Sequence, residues 1–185
     1  MVRMNNYAVS PVVGVMLMLV VTIIIAAIVS AFAGGLSTST TKAPNVQITA
    51  HYSQSQGMWF ENQGPDDIRT VSTNVYVRCT DSFGTAEHMA WAVNRSSISN
   101  STSSTLTDKT VWLTTAGMTG GIKTFGVGDR AYINPPYQTR DFLQPGASDT
   151  YAFNNITNNL GKSFWLEMSD KSGRTFAKTK VKIEA

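Results

Sequence analysis

The chain of 185 residues holds one cysteine and two histidines. A single thiol excludes an intrachain disulfide framework and any multi-cysteine metal site. His51 and His88 leave little room for a histidine-ligated metal or a histidine-based triad. Charged residues make up 15% of the chain, against roughly 25% in ordinary soluble domains. The formal net charge of +3 is too small to indicate nucleic acid as a partner. These shortages point away from the familiar enzyme classes. No catalytic residue, cofactor or metal is expected.

Charge is missing altogether between Arg3 and Lys42. Inside that gap, Val12 to Phe32 is apolar except for Gly14, Thr22 and Ser30. These 21 residues would form a helix of about 32 Å, enough to cross a hydrocarbon core of roughly 30 Å. Thirteen of them are Leu, Ile, Val or Phe, which favour insertion by about 4–8 kcal/mol in sum. The rest of the chain is too polar to wrap such a helix as a soluble core. Ser10 is placed to cap the helix and Pro11 to occupy its first position. Gly34-Gly35 is placed to end it, and Ser37 to Thr41 reads as a flexible polar link.

Small residues recur four apart along the helix: Thr22, Ala26, Ser30 and Gly34 in one row, Ala27, Ala31 and Gly35 in another. Such rows let helix backbones approach closely in an apolar medium. Ahead of the helix stands a short polar leader, Met1–Tyr7, then Ala8-Val9-Ser10-Pro11-Val12-Val13-Gly14-Val15-Met16-Leu17-Met18. This segment resembles the start of archaeal type IV pilins, in which a small residue ends the leader and a Val-Ser-Pro-hydrophobic-hydrophobic-Gly-Val stretch follows. Where that family usually carries a charge just before the small residue, this chain has Tyr7. The resemblance implies cleavage between Ala8 and Val9 by a prepilin peptidase acting on the cytoplasmic side. It further implies a precursor held in the cell membrane, then a homo-oligomeric helical filament at the cell surface, built by membrane assembly machinery. Adhesion or surface attachment is the role it suggests.

Other readings of the same stretch stay open. Ala31-Phe32-Ala33 fits an ordinary secretory cleavage site, although the apolar region is longer than the usual 7–15 residues. An uncleaved span presenting an outer β domain that binds sugars, solutes or another protein is a third reading. An archaellum subunit is a nearer relative, which fits the Val-Ser-Pro segment less well.

After Lys42 the texture changes to short alternating runs broken by turns. Candidate strands are Asn45–Ser53, Met58–Glu61, Thr73–Thr80, Val111–Thr115, Arg130–Ile133, Asp149–Phe153, Ser163–Met168 and Ala177–Ile183. Turn residues cluster at Gln63–Asp67, Gln144–Gly146, Asn158–Gly161 and Asp170–Gly173. The expected class is α+β: a long apolar helix, then an antiparallel β-sandwich-like head. The domain reading is a leader over 1–8, a helix over 9–35, a linker over 36–44 and a head over 45–185. Ala86–Val93 fits neither strand nor helix firmly.

From Ser96 to Thr107 nine of twelve residues are Ser or Thr, which reads as an exposed loop that supplies no core. It carries the glycosylation sequons Asn94-Arg95-Ser96 and Asn100-Ser101-Thr102, and a third is Asn155-Ile156-Thr157. Gly161-Lys162-Ser163 lacks the upstream glycine of a phosphate loop, since residue 156 is Ile. Gly126–Ala131 matches a relaxed dinucleotide fingerprint with no helix to follow it. Asp66-Asp67 reads as a solvated turn before a calcium site. Cys79 alternates with Val75 and Val77 and is expected in the core. The Lys178, Lys180 and Lys182 row reads as a solvated face, or as protection for an edge strand.

Overall fold

The computed structural model describes residues 9–35, 42–85, 87–103, 105–114, 120–154 and 158–185. The chain divides into two units, residues 1–42 and 43–185.

The first unit is one helix, α1 (Val9–Gly35). Its 27 residues span about 40 Å. It begins one residue before the expected cap, so Ser10 lies inside the first turn. Pro11 is tolerated there because the first four N–H groups of a helix have no intrahelical partner. Every side chain from Pro11 to Phe32 is exposed in this unit. Thr22 Oγ1 donates to Leu19 O at 2.9 Å. That bond satisfies the hydroxyl within its own helix, so the face it occupies needs no outside acceptor.

The second unit is built on strands β1 (Val46–Ser53), β2 (Gly57–Pro65), β3 (Ile68–Arg69), β4 (Asn74–Cys79), β5 (Ala90–Ala92), β6 (Thr124–Phe125), β7 (Arg130–Ile133), β8 (Ser163–Ser169) and β9 (Thr175–Glu184). Seven form one curled sheet in the order β5-β4-β8-β9-β1-β2-β7, and β3 pairs with β6 apart from it. The class is α+β. The sheet is mixed where an antiparallel one was expected: β1 runs parallel to β9, with Tyr52 opposite Ile183. The other neighbours in the sheet run antiparallel.

Alternation decides the two faces. Ile48, Tyr52, Met58, Phe60, Val75, Val77, Phe164, Leu166, Val181 and Ile183 turn inward and are buried. Phe153 stacks on Phe164 with centroids 4.2 Å apart, and Tyr52 meets both edge-on at 5.9 Å. A second aromatic group joins Trp112, Phe60 and Phe125. Edge-to-face and offset pairs of this kind add about 0.5–1.5 kcal/mol each beyond their burial. The β1–β2 turn requires glycine: Gly57 has φ +88°, and a Cβ there would lie 2.3 Å from Ile133 O.

Among the described residues, Asp149–Phe153 forms no strand and 111–114 holds only isolated bridges, while Thr115 lies outside them. Phe153 is buried, but its N–H donates to Gln144 Oε1 at 2.8 Å and its carbonyl accepts from Gln54 Nε2 at 2.7 Å. Side-chain amides thus take the place of a strand partner, and Asp149–Phe153 is a turn. In 111–114, Val111 bridges Ser99 and its carbonyl accepts from Ile122 N at 3.3 Å, and Trp112 N donates to Ile98 O at 3.0 Å. The Ser/Thr-rich loop is not wholly exposed either. Ile98 is completely buried, and Ser97 and Ser99 with it. Ser99 exchanges both backbone bonds with Tyr132 of β7, so this loop shields the sheet edge. Ala86 lies outside the described residues, and Ala90–Ala92 is the edge strand β5.

Phe164→Ala removes a ring at the centre of the larger aromatic group. The expected cost is about 3–5 kcal/mol, read by chemical denaturation of the chain in detergent. Leu160, which is 45% exposed, should cost less than about 0.5 kcal/mol when changed to Ala.

Candidate functional site

In α1 the rows of small residues lie where the helical period predicts. Residues four apart advance by about 40° around the axis, so Thr22, Ala26 and Ser30 follow one shallow stripe and Ala27 and Ala31 the next. Gly34 and Gly35 fall within the last turn. Ile23, Ile24, Ile25, Ile28 and Val29 border these stripes and are all at least half exposed. In water such a surface drives association or insertion. The junction residue Ala8 and the leader lie outside the described residues, and Val9 is the first residue of the helix.

The outer face of the head sheet is polar and aromatic. On β1, β2 and β7, His51 stacks on Trp59 at 4.4 Å, Arg130 lies over the same indole at 4.5 Å, and Arg130 Nη2 bonds Glu61 Oε2 at 2.6 Å. Hydrogen bonding to Glu61 raises the Arg130 pKa. On β4, β8 and β9, Glu167 joins Arg78 at 3.3 Å and Lys178 at 3.0 Å. Lys178 also covers Trp165, 4.5 Å from the ring centroid. The row of Lys178, Lys180 and Lys182 lies on β9, between β8 and β1. The pairing with β1 is at Ile183 and Glu184, and all three lysines are exposed, as a solvated face requires. Of the four tryptophans, Trp112 is buried and Trp59, Trp91 and Trp165 are half-buried.

The sequons differ in setting. Asn94 is exposed and caps the 3-10 turn Arg95–Ser97, its Oδ1 accepting from Ser96 N at 3.1 Å and Ser96 Oγ at 2.8 Å. Asn100 is exposed beside a cleft of about 370 Å³ that Trp112, Asp129, Arg130 and Tyr132 also line. Asn155 lies outside the described residues. Another cleft, of about 270 Å³, opens beside Asn94.

The remaining candidates resolve into structural roles. Cys79 is buried, and burial, reinforced by Asp81, pushes its thiol up to about 12. It stays protonated and unreactive at neutral pH. His51 is a stacking partner, and exposed His88 sits in a bend with φ +55°. Asp66 Oδ2 accepts from Asn45 N at 2.8 Å, and Asp67 Oδ1 from Val127 N at 3.3 Å. Both carboxylates thus anchor turns. The Gly126–Asp129 turn opens onto β7, and Gly161-Lys162 onto β8; neither leads into a helix. Among the described residues no three His, Cys, Asp or Glu side chains are grouped to hold a metal.

The β8–β9 turn provides a pH test. Asp170 accepts from Ser172 Oγ at 2.5 Å and from Arg174 N at 3.0 Å. These bonds, the Ser172 hydroxyl foremost, hold its carboxyl down to about 2. The folded pKa lies below the unfolded value of about 3.9. The contribution of this turn is therefore fully present above about pH 4 and is lost as pH falls through 2. A carboxyl NMR titration should place the Asp170 midpoint near 2, and Ser172→Ala should move it upward.

Comparison with known proteins bears on the N-terminal part of the chain. No curated protein matches it. Residues 7–48 match the family described as archaeal type IV pilin, N-terminal. This is the family that Ala8–Met18 resembles, and the match covers all of α1. Over this segment the chain matches archaeal type IV pilins in sequence, and that match supports a structural role as a pilin subunit.

Proposed function

We propose that this chain is a subunit of a type IV pilus-like surface filament, held together through α1. The observation that carries the reading is a 27-residue helix without a charge, exposed from Pro11 to Phe32 and lying wholly within the pilin match. Such a surface has two stable fates. It dissolves in a bilayer, or it packs against copies of itself. The precursor takes the first and the filament the second.

Cleavage between Ala8 and Val9 by a prepilin peptidase removes the leader that carries Arg3. Membrane assembly machinery then brings helices together. Thr22, Ala26, Ala27, Ser30, Ala31 and Gly34 let backbones approach, and the surrounding Val, Ile and Leu fill the space between them. The head is presented outward, with glycans on Asn94, Asn100 and Asn155. Adhesion or surface attachment is the role of the assembled fibre. No catalytic group or cofactor takes part.

Three measurements test this reading. N-terminal sequencing with intact mass, on protein from native cells, should give a start at Val9. A start at Gly34 marks a secreted soluble protein, and an uncut chain an anchored β domain; either overturns the filament. Ala26→Leu with Ser30→Leu should abolish filaments in electron micrographs while leaving membrane insertion unchanged. Each of Asn94→Gln, Asn100→Gln and Asn155→Gln should remove one glycan mass from the mature protein.

A further inference from the structure

The cleft beside Asn94 is formed where β4 and the end of β5 meet the Arg95–Ser97 turn and Leu113–Thr114. Its volume of about 270 Å³ is just below the usual range of ligand pockets, about 300–1,000 Å³. It therefore takes one ring-sized group and not a chain. Val75, Val93 and Leu113 supply an apolar wall, and among the described residues no acidic one lines it.

Arg95 supplies the charge. Its Nη1 donates to the carbonyls of Thr73 and Thr70, both neutral. Among the described residues no carboxylate forms an ion pair with it. Partial burial lowers its pKa, as expected for a cation that has lost water without gaining a counter-ion. The contrast with the outer sheet face is instructive: Arg78, Arg130 and Lys178 there each have a glutamate. The larger cleft near Asn100 has Asp129 in its lining, and its Arg130 is already paired with Glu61.

Thr114 supplies a second, independent sign. It lines the same cleft, and its Oγ1 is buried without a hydrogen-bond partner. An unmade hydrogen bond of this kind costs about 1–3 kcal/mol. One guanidinium, one unused hydroxyl and an apolar wall match a single carboxylate borne on a ring with hydroxyl groups. The guanidinium fork binds carboxylates through two parallel hydrogen bonds.

We propose that this cleft binds the carboxylate of a uronic acid unit, with Arg95 as its charge partner and Thr114 as a hydrogen-bonding neighbour. The proposal is separate from filament assembly. The cleft belongs to the head, and binding there is expected whether or not subunits polymerise.

The test uses the full chain, made in a bacterial host without N-glycans and held in detergent micelles. Calorimetric titration with glucuronate should give saturable binding, at least tenfold tighter than glucose or acetate, and weakened by added salt. Arg95→Lys keeps the charge and loses the fork; it should weaken glucuronate at least tenfold. Thr114→Val leaves the carbonyl clamp on Arg95 intact and should weaken it severalfold, with an unchanged unfolding midpoint. If glucuronate and acetate bind alike, the site reads charge alone and the sugar assignment falls. If nothing saturates, or neither substitution alters binding, the cleft is not a ligand site. A uronic acid disaccharide that binds as well as the monosaccharide, through its terminal unit, places the natural source in a polymer; one that fails to bind places it in the free sugar.

Discussion

Everything about this chain follows from one constraint: α1 has no polar face. A surface helix of an ordinary domain carries a charged side to offer to water. Here Val, Ile, Leu and Met surround the axis, interrupted only by small residues. The helix therefore needs an apolar covering. Lipid satisfies it without specificity. A second helix would satisfy it only where side chains interlock, and the stripes of Ala, Ser and Thr are the shallow ground proposed for that. Thr22 bonded to Leu19 shows how a hydroxyl is kept compatible with either surrounding.

The head solves the opposite problem. Its core is rich in aromatic rings, and its outer sheet face is kept wet by cations. These cations do more than solvate the surface. Arg130 and Lys178 each lie over an indole ring and also bond a glutamate on a neighbouring strand. The stems of such side chains cover apolar surface while their charge remains in water. Trp59 and Trp165 are thereby half-shielded, and the face presents little bare hydrocarbon.

Much of this was legible from the residues. An uncharged apolar run has one reading, so α1 was plain, although Ser10 and Pro11 read as a cap and first position and both lie inside the helix. The strands that alternate cleanly, such as Ala177 to Ile183, were plain for the same reason. Val111–Thr115 and Asp149–Phe153 misled because burial alone produces a strand-like pattern. Phe153 is held by Gln144 and Gln54, distant amides that leave no local trace. Parallel pairing of β1 with β9 joins residues more than a hundred apart, and no turn between them announces it. For want of that pairing, the lysine row was open to two readings, a solvated face or protection for an edge strand. Ile98, lone among serines, gave no periodic sign that it would enter the core. The sequons were visible as triplets, but the cleft beside Asn94 depends on Thr114 arriving from another loop.

The place of β9 has a consequence for how the head comes into being. In chain order it follows every other strand of the sheet, yet in space it lies between β8 and β1. The hairpin β1–β2 with β7 forms one flank, and β5-β4-β8 forms the other. Until β9 arrives, the two flanks share no backbone ladder. A chain emerging residue by residue thus holds two open half-sheets, each with an unpaired inner edge. The ten residues of β9 ladder onto β8 along most of their length and onto β1 at Ile183 and Glu184. Placement of β9, the last strand of the sheet in chain order, is what joins the two half-sheets through backbone pairing.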